Sequence, residues 1–479
     1  MHLPLEVPTG LPIGDDWIDT PTTEPVHFPY DGSEISRAPT GTADLARKAI
    51  EAALAVEDEA ADLPARLRHE LLMRAHATIA AKAAELEQLL VLETGKPLRD
   101  CRVEVQRALL TLLLSAQESM RLHGETVPVD LLPSGDGLVA YYQRVPIGVV
   151  VGIAGFNYPF LLAMHKVAPA VAAGCPVICK PAPQTPLATL WLAKVLRDAA
   201  SAVGASPALV QVVTGGVDVG EALTTDPRIG AVSFTGSAAV GHRIARAAAP
   251  RKVLLELGSN AALVVAADAN LEAAADAAVN GGFYASGQAC ISVQRLIVEE
   301  PVYDDFLKLV ADRATEVRVG DPRDEATQVS RLIDETSTTR VREWIGDALE
   351  HGASVVAGGA VDALVPTVLR DVDTDHVVWS EEVFGPVVVA RSVPDLDTAF
   401  DVVNDSRYGL HASVFTASLS TAMTAIRRLK VGGVIVNEVP GFRSDTMPYG
   451  GVKDSGIGRE GPRYAIEELT VTKMAVIRS

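Results

Sequence analysis

Cysteine is scarce in this chain of 479 residues: Cys101, Cys175, Cys179 and Cys290 are the only four. So few thiols, so irregularly spaced, exclude the disulfide framework of a secreted protein and point to a reducing cytoplasm. Positive charge is also short. Against 61 Asp and Glu stand 42 Lys and Arg, a formal net charge of -19, and no basic run interrupts the deficit. Nucleic acid and anionic membranes are therefore poor partners. No apolar stretch reaches the roughly 18 uninterrupted residues of a membrane helix. The start "MHLPLEVPTG" lacks the charged opening and apolar core of a signal peptide. What remains is a soluble enzyme acting on small molecules, long enough for two or three domains of about 150 residues.

After an irregular start rich in Pro and Thr, "TADLARKAIEAALA" and the run from "PARLRHELLMRAH" to "VLETGKP" carry apolar residues at helical spacing, with Gly95 and Pro97 as stop signals. "GLVAYYQRVPIGVVVGIAG" reads as two strands broken at Pro146. From there "PVICKP", "LVQVVTG" and "AVSFTG" alternate with helical segments such as "TPLATLWLAKVLRDAA". A second alternating set holds "NAALVVAADA", "QRLIVEE", "PTVLRDV" and "GPVVVARS". Short apolar strands separated by helices predict parallel sheets covered by helices. No repeat and no low-complexity linker divides the two sets, which places the active site in a cleft between two α/β units.

Several short motifs carry chemistry, each with an ordinary structural alternative. "SGQACISVQR" leaves Cys290 beside small residues, open to act as a nucleophile, with no histidine nearby in sequence to activate it. "VSFTGSAAVG" sets a strand before a tight turn at Gly236, then Ser237 and small residues, with Gly241 opening a helix. Such a helix start suits a pyrophosphate, though any strand–turn–helix junction favours these residues. The stricter GxGxxG spacing at Gly456, Gly458 and Gly461 follows no strand and reads as a decoy. "LLELGSN" puts Glu256 among leucines, as a desolvated general base or as a strand-end carboxylate paired or exposed. Asn157 in "GIAGFNYPF" is an oxyanion donor or a turn residue. Lys180 in "CPVICKP" holds a ribose or phosphate, or snorkels at the surface. Cys175 and Cys179 match no zinc spacing, so buried packing thiols and no metal are expected.

Taken in order, the glycine turn, "LELGSN", "SGQAC", "EEVFGPV" at 381–387 and "MPYGGVKDSGIGRE" at 447–460 resemble the aldehyde dehydrogenases, from "ETGKP" at 93–97 to the terminal "ELTVTKMAVI". The resemblance implies an α/β fold: a Rossmann-like cofactor-binding domain, 1–123 and 147–257, and a second α/β catalytic domain, 258–456. It also implies a small β oligomerisation extension, 124–146 and 468–479. It assigns Cys290 as nucleophile, Asn157 as oxyanion donor and Glu256 as the base that activates the deacylating water. Lys180, Ser237, Glu382 and Phe384 fall at cofactor positions, Glu382 on the nicotinamide ribose. Implied, then, is oxidation of an aldehyde to an acid with NAD or NADP through a cysteine hemithioacetal and thioester.

One departure concerns the cofactor. Many NAD-preferring members carry Glu three residues after the lysine, where this chain has Pro183. Without that carboxylate a 2'-phosphate meets no repulsion, so NADP is expected to be tolerated. Arg107, Tyr158 and Arg443 match positions that relatives use for anionic aldehydes, the branch being that of lactaldehyde, succinate semialdehyde and non-phosphorylating glyceraldehyde-3-phosphate dehydrogenases. Both arginines have surface or interface charges as their alternative. Ala289 stands where phosphate oxidisers often carry arginine. Arg295 reads as a structural support and His165 as a core-facing helical histidine. The apolar face of "TVTKMAVI" predicts a homodimer or homotetramer. The rivals are a CoA-acylating dehydrogenase, which has no use for a water-activating Glu256, and a cofactor-free cysteine esterase or thioesterase, which leaves Glu382 and the glycine turn without a task.

Overall fold

The computed structural model describes residues 3–359 and 364–478. Residues 1, 2, 360–363 and 479, which the expected domain ranges include, lie outside the described residues.

The apolar runs become the strands of two helix-covered sheets. The first has six strands in the order Gly456–Ile457, Lys252–Glu256, Ala231–Thr235, Val150–Ile153, Val177–Lys180 and Val210–Val212. All its pairings are parallel except that of Gly456–Ile457 with Lys252–Glu256. The helices Pro159–Ala173, Leu187–Ala202 and Ala238–Ala248 belong to this layer. Burial of Val150–Ile153 and Val177–Lys180 at every position explains why they read as unbroken apolar runs rather than alternating ones. The seven-stranded second sheet runs Ser354–Ala357, Thr367–Arg370, Val387–Val393, Arg295–Glu299, Ala262–Val265, His411–Phe415, Gly433–Val436.

Strand order decides where a ligand can go. From Val150–Ile153 the chain moves outward through Val177–Lys180 and Val210–Val212, then returns to place Ala231–Thr235 on the other side. The connections after Val150–Ile153 and Ala231–Thr235 therefore diverge, opening a crevice beyond their carboxyl ends. Asn157, Gly236 and Glu256 all lie at or just past strand ends on this rim.

The helical start is present as Ala43–Ala55, Ala65–Ala81, Ala83–Thr94 and Leu98–Ser119, and Gly95 closes the third of these at φ 69°. The segment before it is not irregular. Leu11–Ile13 pairs with Asp16–Ile18, and Thr23–His27 with Glu34–Pro39, both antiparallel. Buried Leu11, Ile13 and Val26 anchor these hairpins, and the prolines Pro25 and Pro39 are tolerated because two-stranded ribbons have edges that need no partner.

Thr470–Arg478 pairs along its length with Leu138–Pro146, which also pairs with Glu125–Thr126. Val139, Met474, Val476 and Ile477 on this ribbon are exposed. Gly456 pairs with Glu256 of the first sheet although the expected boundary put it in the second unit, and a Cβ there would lie 2.3 Å from the Leu255 carbonyl oxygen. The GxGxxG spacing thus begins with a close strand approach. Among the described residues no helix is long and apolar enough to cross a membrane.

Candidate active site

A cavity of about 470 Å³ occupies the crevice. Its walls include Asn157, Tyr158, Gly236, Ser237, Glu256, Cys290, Glu382, Phe384, Arg107 and Arg443, residues from both sheets and the helical start. Each is held by a local device.

Asn157 follows the strand Val150–Ile153 and precedes the helix Pro159–Ala173. Glu104 accepts the N–H groups of Phe160 and Leu161 at 3.0 and 3.1 Å, satisfying that helix's first donors. The same carboxylate pairs with buried Lys96, whose ammonium donates to the Asn157 carbonyl at 2.7 Å and lies 3.6 Å from the centre of the Tyr158 ring. The Asn157 amide donates from Nδ2 to the Gln288 carbonyl at 2.8 Å. An amide nitrogen carries two N–H bonds, so one fixes the Cys290 loop and the other remains for an oxygen in the cavity.

The Cys290 loop is strained. Ala285, Ser286 and Gly287 take φ of 49°, 58° and 74° in succession, a left-handed run that survives only where its surroundings over-determine it. Asp100 accepts the Ala285 N–H at 3.0 Å, and the Ser286 hydroxyl exchanges two hydrogen bonds with the Ser330 backbone. At Gly287 only glycine fits: a Cβ would stand 2.1 Å from the Gly385 oxygen. The half-buried Cys290 sulfur lies 3.3 Å from the Tyr449 hydroxyl. Burial pushes its thiol up to about 11 against the lowering effect of that phenol. Cys101, Cys175 and Cys179, by contrast, are fully buried packing thiols.

Glu256, at the end of Lys252–Glu256, is neither exposed nor paired with an arginine: it is 5 % exposed, and Oε2 has no hydrogen-bond partner among the described residues. Burial first, then the neighbouring Glu460 carboxylate, raises its pKa well above the usual range. Glu382, whose carboxylate accepts the Ser259 N–H at 2.9 Å, is pushed by burial up to about 7. Behind Glu256 lies a buried charge network. Glu460 pairs with Lys166 and, at 3.2 Å, with Arg443; against the burial that opposes it, Lys166 and then His165 hold Glu460 well below the carboxylate range. Arg107 grips Asp445 through Nη2 at 2.8 Å and Nε at 3.3 Å.

The sequence profile of the aldehyde dehydrogenase family matches residues 17–475. The chain belongs to this family. Among its relatives is 3-sulfolactaldehyde dehydrogenase of Priestia megaterium, 40 % identical over 472 residues and 98 % of each chain. An aldehyde dehydrogenase of Physcomitrella patens, solved with the reaction product succinate, superposes with a TM-score of 0.94 at 33 % identity over 98 % of each chain. A glyceraldehyde-3-phosphate dehydrogenase of Methanocaldococcus jannaschii complexed with NADP has a TM-score of 0.92 at 33 % identity, covering 96 % of this chain and 100 % of that one. The protein is an NAD(P)-dependent aldehyde dehydrogenase.

The aldehyde dehydrogenase site fits a dinucleotide at the Gly236 turn. Ser237 opens the helix Ala238–Ala248 without a side-chain cap, leaving its first N–H groups for an anion. Gly241 lets that helix lie on the sheet, since a Cβ would sit 2.3 Å from the Leu257 side chain. Phe384, at φ 49°, meets Phe156 edge-on at 5.7 Å on the cavity wall. Lys180 and Pro183 do not line the cavity. Lys180 closes the strand Val177–Lys180, is buried rather than snorkelling, and burial lowers its pKa. Pro183 borders a separate groove of about 510 Å³ with Glu24, His27, Glu93 and Asp334.

Folding decides between the alternatives for the two arginines and changes the reading of His165. Arg443 is not a surface charge: its side chain is 6 % exposed and its guanidinium lies 3.8 Å from the centre of the Tyr449 ring. Arg107 is likewise a cavity residue, partly buried. His165 is helical and buried, but it is no apolar-core histidine: its ring nitrogens stand 3.4 Å from Asp445 and 3.2 Å from Glu460. Arg295 donates to the backbone oxygens of Asn260, Val402 and Val403, a supporting arrangement.

Lys96, Glu104, Lys166, Asp445, Tyr449 and Glu460 escaped sequence reasoning. Lys166 and Glu460 are 294 positions apart, so no local spacing signals the pair. Tyr449 sits in the "MPYGG" motif, where a hydroxyl on an aromatic residue was the available signal. Asp347, His351 and His376 bring ligand-type atoms within 4.8 Å of one another. His376 Nδ1 accepts the Val378 N–H, however, so its Nε2 carries the proton and donates to Asp347 at 2.9 Å, which is a hydrogen bond and not a metal ligand set.

Proposed function

We propose that this enzyme oxidises a short aldehyde bearing an anionic group, through a thioester on Cys290. The carrying observation is that Cys290, Asn157 and Glu256, drawn from three distant stretches, line one cavity with Gly236 and Glu382. Cys290 adds as thiolate to the carbonyl carbon, and the remaining Asn157 N–H and the Cys290 backbone N–H receive the developing oxyanion. The Gly236 turn, Ser237, Glu382 and Phe384 on the cavity wall and Lys180 beyond it would hold NAD or NADP, which when bound would supply the hydride acceptor. Loss of hydride leaves the acyl group on sulfur. Glu256, desolvated and with a raised pKa, takes a proton from the water that attacks it. The Lys166–Glu460 pair lies behind it.

The two arginines on the cavity wall, Arg107 and Arg443, support the anionic substrate. Arg107, Arg443 and Lys166 face the charged carboxylates of Asp445 and Glu460, and no described residue takes Arg107 Nη1. The relatives named for sulfolactaldehyde and solved with succinate handle compounds of that kind. We assign the six-stranded unit to the cofactor and the seven-stranded unit to the catalytic cysteine. The exposed apolar ribbon Thr470–Arg478 with Leu138–Pro146 becomes the contact between subunits of a homodimer or homotetramer. The four free cysteines suit the cytoplasm.

The test is an initial-rate comparison of anionic and neutral aldehydes of equal length with each cofactor, in wild type and Arg107→Gln. A lost charge-assisted hydrogen bond of about 1.5–3 kcal/mol lowers kcat/KM roughly 10- to 100-fold for the anionic member only. Equal loss for both members refutes the anion assignment, and the absence of reduced cofactor with any aldehyde refutes the reaction.

A further inference from the structure

The activation of Cys290 has an unassigned partner. Among the described residues, the Tyr449 hydroxyl is the one side-chain group within hydrogen-bond distance of the sulfur, at 3.3 Å. Tyr449 is 2 % exposed and packs with Ile291 and Leu410 around Cys290, its ring meeting His411 edge-on at 5.1 Å. On the ring's face lies the Arg443 guanidinium, 3.8 Å from the centroid and tied to Glu460 and Asp445.

We propose that Tyr449 is a further catalytic residue, donating its phenolic hydrogen to the Cys290 thiolate, with Arg443 as the positioning residue that holds and polarises the phenol. The chemistry assigns the direction of the bond. A thiolate can only accept, and a phenol kept protonated by burial can only donate to it. A cation on a ring face draws density from the ring and strengthens the O–H as a donor. No proton is transferred to Tyr449: the thiol proton leaves through the cavity, and the hydrogen bond stabilises the anion left behind. Once sulfur is bonded to carbon its charge is gone and the bond weakens, so the phenol favours the nucleophile before attack and does not hinder acyl transfer. The other titratable groups facing this pair are Glu256, Glu382, Tyr284, His411 and, through Arg443, Glu460.

This inference rests on Cys290 being the nucleophile, but its test needs no turnover. The rate of Cys290 alkylation by iodoacetamide is followed against pH in wild type and Tyr449→Phe, which keeps the ring against Arg443 and His411. Hydrogen bonds to charged groups of about 1.5–3 kcal/mol correspond to one to two pH units, so the alkylation midpoint is expected to rise by about that much, and the alkaline-rising limb of kcat/KM with it, while the KM for cofactor stays. An unmoved or lowered midpoint in a folded variant overturns the proposal, whatever the aldehyde. Should Y449F not fold, isotope-labelled tyrosine in the unmutated chain serves instead: the Tyr449 ring signal is expected to titrate at the alkylation midpoint and to lose that step in Cys290→Ala. A signal that ignores the titration overturns it as well.

Discussion

Glu256→Gln separates the two halves of the reaction. The amide has the shape of the carboxyl, and since Glu256 Oε2 has no partner among the described residues, that oxygen gives up no protein hydrogen bond. What disappears is basicity. Loss of a positioned general base costs about 10²- to 10⁴-fold, or roughly 2.7–5.5 kcal/mol of barrier, and here it falls on water attack alone. Rapid mixing with aldehyde and cofactor is expected to give a burst of reduced cofactor equal to the Cys290 present, then a steady phase slowed by that factor, with the acyl group detectable on the Cys290 peptide by mass spectrometry. The pH dependence follows from the raised carboxyl: the active form is the base, so wild-type steady turnover rises with pH through that elevated pKa, and the variant loses this limb while the burst keeps its own dependence on the thiol. Stability carries a second signature. A carboxyl that binds its proton more tightly folded than unfolded costs stability as pH climbs above its unfolded value of about 4.3. The variant lacks this loss, so between pH 4 and neutrality its denaturation midpoint should fall less than that of wild type. Steady turnover within threefold of wild type, or no burst, refutes the role given to Glu256.

Gly287→Ala combines φ 74° with a Cβ 2.1 Å from a backbone oxygen and is expected to abolish soluble folding or Cys290 reactivity, read by expression and alkylation. Glu104→Ala leaves Lys96 buried and unpaired and uncaps the helix Pro159–Ala173; a loss of about 3–5 kcal/mol in denaturant unfolding is expected, and Lys96→Met with Glu104→Leu together should restore part of it. If position 183 meets the adenosine ribose, as the family resemblance implies, Pro183→Glu is expected to lower the ratio of kcat/KM for NADP to NAD at least about tenfold through like-charge repulsion. An unchanged ratio would move the 2'-hydroxyl contact away from Pro183.

Much of the frame was legible because its signals are local. Runs such as "PVICKP" and "AVSFTG" read as strands since each is buried on both faces, and the αL stop at Gly95 is a property of one residue. The opening hairpins were not, because Thr23–His27 buries one residue of five and its prolines argue against strand until a partner is at hand. Cys290, Asn157 and Glu256 were recognisable through their motifs, but each alone had a structural alternative, and only folding brings the three to one cavity. His165 was misjudged, and the alternatives for Arg443 stayed open, for the reverse reason. Their character comes from Asp445 and Glu460, which lie on a different part of the chain from His165 and take effect only when packing removes water.

By itself the sequence determined the α/β class, the strand and helix segments, and the residue types that could do acyl chemistry, because periodicity, glycine turns and side-chain functionality are written within a few neighbouring positions. Which groups are neutral, charged or free to react was decided by the tertiary structure alone. Desolvation and charge pairing depend on what lies within a few ångströms in space, and at Glu256, Cys290 and Tyr449 those neighbours come from distant stretches of the chain.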